Sequence, residues 1–159
     1  MIIGVLSDTH RDLHSVERAF KLFQEKGATV VFHLGDINQD VTGKDREYNM
    51  EVVTVSGNMD FEPWSAREVV YEGEGVRFLL THGHYHDVRA TKRHLQEKAR
   101  ELGCSAALFG HTHIPYNNRE KGILIFNPGS TAFPREGSKK SAGIIWVDER
   151  GVTAEVFFL

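Results

Sequence analysis

Apolar residues along this chain come in short blocks, and the blocks alternate between two spacings. Residues 2–6 form a continuous apolar run, as expected of a strand buried on both faces. Val16, Ala19, Phe20 and Phe23 then recur at helical spacing, with Gly27 as the stop. Residues 29–34 are β-branched and apolar and end abruptly at Gly35-Asp36. This strand-helix-strand order predicts a βαβ unit with parallel strands. Further strands are expected at 51–55 and at 68–71 and 76–81, the latter two flanking the turn Glu72-Gly73-Glu74-Gly75. Others are expected at 106–109, 122–126, 142–147 and 152–158, the last two as an antiparallel pair. Residues 87–102 read as a helix with Leu95, Ala99 and Leu102 on one face. Residues 38–49 are polar, show no clear period and receive no element. There is no repeat, low-complexity tract or linker, so the pattern describes one α/β domain of about ten strands.

Composition narrows the function classes. With 40% hydrophobic and 26% charged residues, the chain reads as globular. A formal net charge of -3 offers no basic surface for long nucleic acid, which is therefore a disfavoured partner. The single cysteine, Cys104, excludes an intrachain disulfide framework and a Cys-rich zinc site, and suits a reducing compartment. No basic segment precedes Asp8, and no apolar run approaches the ~18–20 residues of a bilayer span. The expectation is a cytoplasmic protein without a membrane partner. Apolar edge strands near the C-terminus are compatible with a homo-oligomer.

The chemistry gathers where the strands end. Ser7-Asp8-Thr9-His10, Gly35-Asp36, Gly57-Asn58, Thr81-His82-Gly83-His84 and Gly110-His111-Thr112-His113 each follow an expected strand. Loops at the carboxyl ends of strands in an α/β sheet share one edge, so these donors should converge. In an extended segment residues i and i+2 point the same way, so Asp8/His10 and His111/His113 are each expected to chelate as a pair. Glycines at 35, 57, 83 and 110 permit tight turns and close backbone approach. Carboxylate oxygen mixed with imidazole nitrogen suits Mn, Fe, Zn or Co.

This ordered set, from residue 7 to about residue 135, resembles the calcineurin-like metallophosphoesterase superfamily. Within it the chain is similar to the small bacterial and archaeal phosphodiesterase branch, where Asn127-Pro128-Gly129-Ser130 followed by Pro134-Arg135 also recurs. The resemblance implies a single domain over 1–159, a two-sheet β-sandwich flanked by helices in αββα layers. It implies a hydrolase that cleaves small phosphodiesters with a hydroxide held between two divalent metal ions. Manganese is the expected metal, with Fe, Zn or Ni as alternatives. Asp8, His10 and His113 would hold one ion, Asn58, His82 and His111 the other, and Asp36 would bridge them. Catalytic roles would fall to Asp36, Asn58, His82 and His84, and substrate contacts to Arg11, Asn58 and His84. Two dications against the carboxylates of Asp8 and Asp36 leave about +2, which favours an anionic ester.

The chain departs from the wider superfamily at Met59, where many members place a histidine that protonates the leaving oxygen. A thioether donates no proton. His84, and after it His86, are the nearest substitutes in sequence. Blander readings compete at several positions. His33 reads as a structural histidine, His14 and His94 as surface or packing residues, and Cys104 as packed. Arg11 fits an exposed ion-pairing arginine better than a phosphate contact, and Asn127 to Ser130 an ordinary turn as well as a site wall. Two other functions remain in view: a non-catalytic scaffold, as in the retromer subunit of this fold, and a phosphomonoesterase.

Overall fold

The computed structural model describes residues 1–61 and 65–159. Strand β1 (Ile2–Leu6) pairs in parallel with β2 (Val30–His33), and β2 with β3 (Glu51–Thr54). Helix α1 (Leu13–Lys26) makes the first crossover. It opens where the Asp12 carboxylate caps Ser15 N at 3.1 Å and closes at Gly27, whose φ of 77° is the left-handed stop. The short helix α2 (Lys44–Tyr48) lies between β2 and β3. On the other flank of β1, β9 (Ser141–Asp148) and β10 (Gly151–Phe158) run antiparallel, giving the order β10-β9-β1-β2-β3.

The second sheet opens with the hairpin β4 (Glu68–Gly73) and β5 (Val76–Thr81). Strands β6 (Ala106–Leu108) and β8 (Ile123–Asn127) add in parallel, and β7 (Tyr116–Glu120) closes the edge antiparallel to β8. The order is β4-β5-β6-β8-β7, with α3 (Arg93–Glu101) packed outside.

The main core lies between the two sheets, where Val5, Phe32 and Leu34 meet Phe78, Leu80, Leu108 and Phe126. Intervening residues of the same strands face outward. Leu6, Val31 and Ile144 bury against Val16, Phe20 and Phe23 of α1, and Leu79, Ala107 and Ile125 against Leu95 and Ala99 of α3. Central strands covered on both faces have no polar side to show, hence the continuous apolar runs rather than alternation. The αββα sandwich is the architecture expected.

Three local differences have physical causes. The helix expected from residue 87 begins at Arg93, because Asp87 is left-handed (φ 52°) and its carbonyl closes a turn by accepting from Ala90 N and Thr91 N. Strand β7 escapes the hydrophobic pattern because it is a polar edge strand, Tyr-Asn-Asn-Arg-Glu. Helix α2 has no fully buried residue and is tied by polar bonds, Lys44 Nζ and Tyr48 Oη both donating to Glu17.

The loops that leave β1, β2, β5, β6 and β8 meet at one edge of the sandwich. Asp8 N donates to Gly35 O at 3.0 Å, Gly110 N to His82 O at 3.1 Å, and Thr131 N to Ser7 O at 3.4 Å.

Candidate metal centre

Asp8, His10, Asp36 and His113 bring their donor atoms within 4.8 Å of one another. His10 Nε2 lies 3.9 Å from Asp8 Oδ1, 3.7 Å from Asp36 Oδ2 and 3.4 Å from His113 Nε2. Beside them His82, Asn58 and His111 form a second group. Asn58 Oδ1 lies 3.1 Å from His82 Nε2 and 3.0 Å from His111 Nδ1, and His82 Nε2 lies 3.5 Å from Asp36 Oδ1. Asp36 thus presents Oδ2 to one group and Oδ1 to the other. All seven donors proposed from the sequence meet in one place.

The cage is built of acceptors facing acceptors. His113 Nδ1 lies 2.7 Å from the Phe133 carbonyl, and His82 Nδ1 lies 2.7 Å from that of Leu34. A carbonyl only accepts, so in each neutral ring Nδ1 carries the proton and Nε2 turns a lone pair inward. His113 Nε2 faces Asp8 Oδ1 at 3.1 Å, and that oxygen is buried without a hydrogen-bond partner. The other oxygen, Oδ2, accepts from Ser7 Oγ at 2.7 Å and His111 N at 3.0 Å. A buried anionic oxygen opposite an imidazole lone pair is costly unless a cation or a proton lies between them. The donor set fits divalent metal.

Titration follows the same logic. Burial works against the Asp8 carboxylate, but the adjacent His113 and His82 rings, whose protonated forms it attracts, and the Ser7 hydroxyl outweigh it, and its pKa is lowered. His113 is raised, because attraction of its protonated form to the adjacent Asp8 carboxylate overcomes burial. His111, desolvated and beside His82 and Arg89, is pushed down to about 4.

The backbone behind these donors is not extended. Five of the seven sit in the left-handed region: Asp8 (φ 55°), His10 (42°), Asp36 (64°), His111 (64°) and His113 (61°). The extended geometry expected to align residues i and i+2 is absent, yet Asp8 and His10 still meet in one group, as expected of that pair. His111 and His113 part company, one toward Asn58 and His82, the other toward Asp8 and His10. Left-handed non-glycine residues cost roughly 1–2 kcal/mol each, least for Asp, and persist where surrounding bonds over-determine them. Here Ser130 Oγ donates to Asp8 O at 2.8 Å, Asn127 Nδ2 to Gly110 O at 2.9 Å, and Arg135 N to His113 O at 3.2 Å. Asn127 and Ser130 are fully buried supports of the loops rather than walls of the site.

Two glycines are required by proximity. A Cβ at Gly57 would stand 2.1 Å from Asp36 Oδ1, and one at Gly110 2.0 Å from Ser7 Oγ.

The sequence matches the calcineurin-like phosphoesterase superfamily domain over residues 1–150. The chain belongs to that superfamily. Phosphodiesterase YfcE of Escherichia coli (strain K12) is 30% identical over 175 aligned positions, covering 93% of this chain and 89% of that protein. The crystal structure of a predicted phosphoesterase from Streptococcus pneumoniae TIGR4 superposes with a TM-score of 0.83 at 29% identity, over 99% of this chain and 88% of that one. Wild-type Vps29 of Entamoeba histolytica, complexed with Zn2+, shares the fold with a TM-score of 0.75 at 19% identity, over 99% and 98% of the two chains. The superfamily is divalent-metal dependent, and the Asp/His cluster here could bind such an ion. Among the described residues no helix is long and apolar enough to cross a membrane.

Of the remaining candidates, His84 stands by the second group, its ring 5.4 Å from that of His82 and 6.0 Å from that of His111. Burial, then the charge of His82, lowers its pKa, so it is neutral at pH 7. Met59 is 45% exposed at the mouth and its backbone N donates to Asp36 Oδ1 at 2.9 Å. Arg11 is exposed, and its backbone N donates to Asp40 Oδ2 at 2.7 Å. His86 turns away to pair with Glu68. One residue the sequence reading missed is Asp60, whose carboxylate accepts from Asp36 N, Asn38 N and Gly57 N at 2.7–2.9 Å. The signal was a carboxylate two residues after Gly57-Asn58, indistinguishable in sequence from a surface acid.

Proposed function

We propose that this phosphoesterase cleaves small phosphodiesters with the help of two divalent cations, manganese first among them, at the edge where the seven donors meet. The observation that carries the reading is Asp36, whose two oxygens face two separate donor groups, next to the buried, unpartnered Asp8 Oδ1. Asp8, His10 and His113 would hold one cation, and Asn58, His82 and His111 the other, with Asp36 shared. Bound there, the cations would acidify a water and offset charge on the phosphoryl oxygens.

The chain's own groups do the rest. The Leu34 and Phe133 carbonyls fix the His82 and His113 rings, so the site needs no reorganisation to receive charge. Asn58, exposed and neutral, keeps the mouth attractive to an anion. His84, neutral at pH 7, suits holding a phosphoryl oxygen through an N–H better than protonating a leaving group. With Met59 at the other candidate position, esters with acidic alcohols should turn over best.

Hydrolysis of bis(4-nitrophenyl) phosphate with and without Mn2+ tests this. The wild-type rate should need the metal, and Asp36→Asn should lose at least roughly 100-fold. Equal rates in the two proteins would instead support the interaction-surface reading, which the Vps29 likeness in fold and the lack of an evident proton donor favour. A faster rate on 4-nitrophenyl phosphate would support the phosphomonoesterase reading.

A further inference from the structure

A pocket of about 380 Å3 flanks the metal-facing loops and has no part in the reading so far. Arg89, Lys92 and Arg135 line it together with Thr112, Tyr116 and Glu136. Thr112 lies between His111 and His113, and Arg135 N is bonded to His113 O, so one wall is the back of that loop. Three cations against one carboxylate leave this lining at +2, in a chain whose formal net charge is -3.

These cations are not used up by the fold. Among the described residues, none of the three is paired with a carboxylate. Lys92 is held in position all the same: Nζ donates to Val88 O at 2.5 Å and sits over the rings of Tyr116 and Phe109, 5.4 and 5.7 Å from their centroids. A solvated surface would gain nothing by gathering unpaired charge here, since like charges repel. Two guanidinium forks and a fixed ammonium match the oxygens of a phosphate.

We infer that this pocket receives a second phosphate of the substrate, so that the favoured substrates are phosphodiesters carrying a further phosphomonoester on one arm. The inference rests on the phosphodiesterase reading, which puts the scissile group at the adjacent metal centre.

The 4-nitrophenyl ester of thymidine 5′-phosphate, with and without a 3′-phosphate, supplies a matched pair of substrates. Thymidine 3′,5′-bisphosphate and thymidine 5′-monophosphate supply the matching pair of ligands for calorimetry on the Mn2+-loaded protein. In both pairs the extra phosphate should be favoured roughly tenfold, and the preference should shrink as salt rises. In a variant carrying Arg89→Gln, Lys92→Gln and Arg135→Gln together the ratio should fall to about one while Mn2+ is still taken up. If that variant does not fold, Arg135→Gln alone, a side chain with no hydrogen bond among the described residues, should cut the ratio at least roughly threefold. No preference in the wild type, or a preference untouched by the substitutions, overturns the inference. A calorimetric preference without hydrolysis of either ester would sink the phosphodiesterase reading and leave the pocket assigned.

Discussion

Asp8 and His33 are both buried at this edge of the fold, and burial works against the charge of each, but with opposite outcomes. Asp8 keeps its charge because Ser7, His111 N and the neighbouring imidazoles surround it. His33 loses its charge: it is fully buried, and desolvation lowers its pKa despite the Asn38 bond and the Asp60 carboxylate. Because the folded value lies below the unfolded one, near 6.5, the unfolded chain binds the extra proton first as pH falls. Stability tied to neutral His33 is complete above that value and drains away below it. His111 and His84 act in the same sense, whereas His113, raised in the fold, contributes below pH 6.5 and loses its contribution as pH climbs through its folded value. The metal-free protein should therefore melt at progressively lower temperature between pH 7 and pH 5, and His33→Gln should flatten that slope. Calorimetric scans across this range decide it; parallel slopes for the two proteins would contradict the burial argument. At this scale the sequence showed which residue types could ligate. It could not show left-handed backbone at five of them, because φ is set by bonds from Gly35, Asn127, Ser130 and Arg135, far away in the chain.

Among the elements, those buried on both faces were legible from pattern alone. β1 and β2 appear within a residue or two of their expected limits, since burial of a whole strand leaves an unbroken apolar run; the β4–β5 hairpin, whose first strand is a half-exposed edge, was legible from its Glu72-Gly73-Glu74-Gly75 turn instead. β7 and α2 were not legible, because an edge strand and a polar-tethered helix bury no stripe that a period could reveal. The loop after β3 belongs with them: its shape depends on Asp60, which gathers three backbone N–H groups from the Asp36 and Gly57 turns. Replacing Asp60 by Asn sets an amide NH2 against donors. It should cost roughly 1–3 kcal/mol in denaturant unfolding and weaken Mn2+ binding by about 10–100-fold. Isothermal titration of Mn2+ reads the second effect. Unchanged affinity would show that the Asp36 turn holds its shape without this carboxylate.

For the whole molecule, the edge at which the donors meet is where polar side chains of the two sheets face one another. The interior between them is apolar, but at this end the layers are joined by left-handed loops and by a cage in which lone pairs face carboxylate oxygens. Asp8, His10, Asp36 and Asn58 follow strands of one sheet; His82, His111 and His113 follow strands of the other. A cation held by both sets ties the sheets together, and only the folded chain offers that set of donors. Binding then adds to stability by mass action, about 2.7 kcal/mol at 100 times the Kd for one site. For a chain of this length that corresponds to a rise in Tm of roughly 5–10 °C. Differential scanning calorimetry at pH 7.5 should show this rise on adding Mn2+ to chelator-treated protein, with Ca2+ giving much less because the donor set is rich in imidazole. In Asp36→Asn the Mn2+ shift should shrink while the metal-free Tm stays level or increases, since removing one charge relieves a cage crowded with acceptors. A wild-type Tm indifferent to Mn2+ would mean that this end of the sandwich is held by something other than a metal ion.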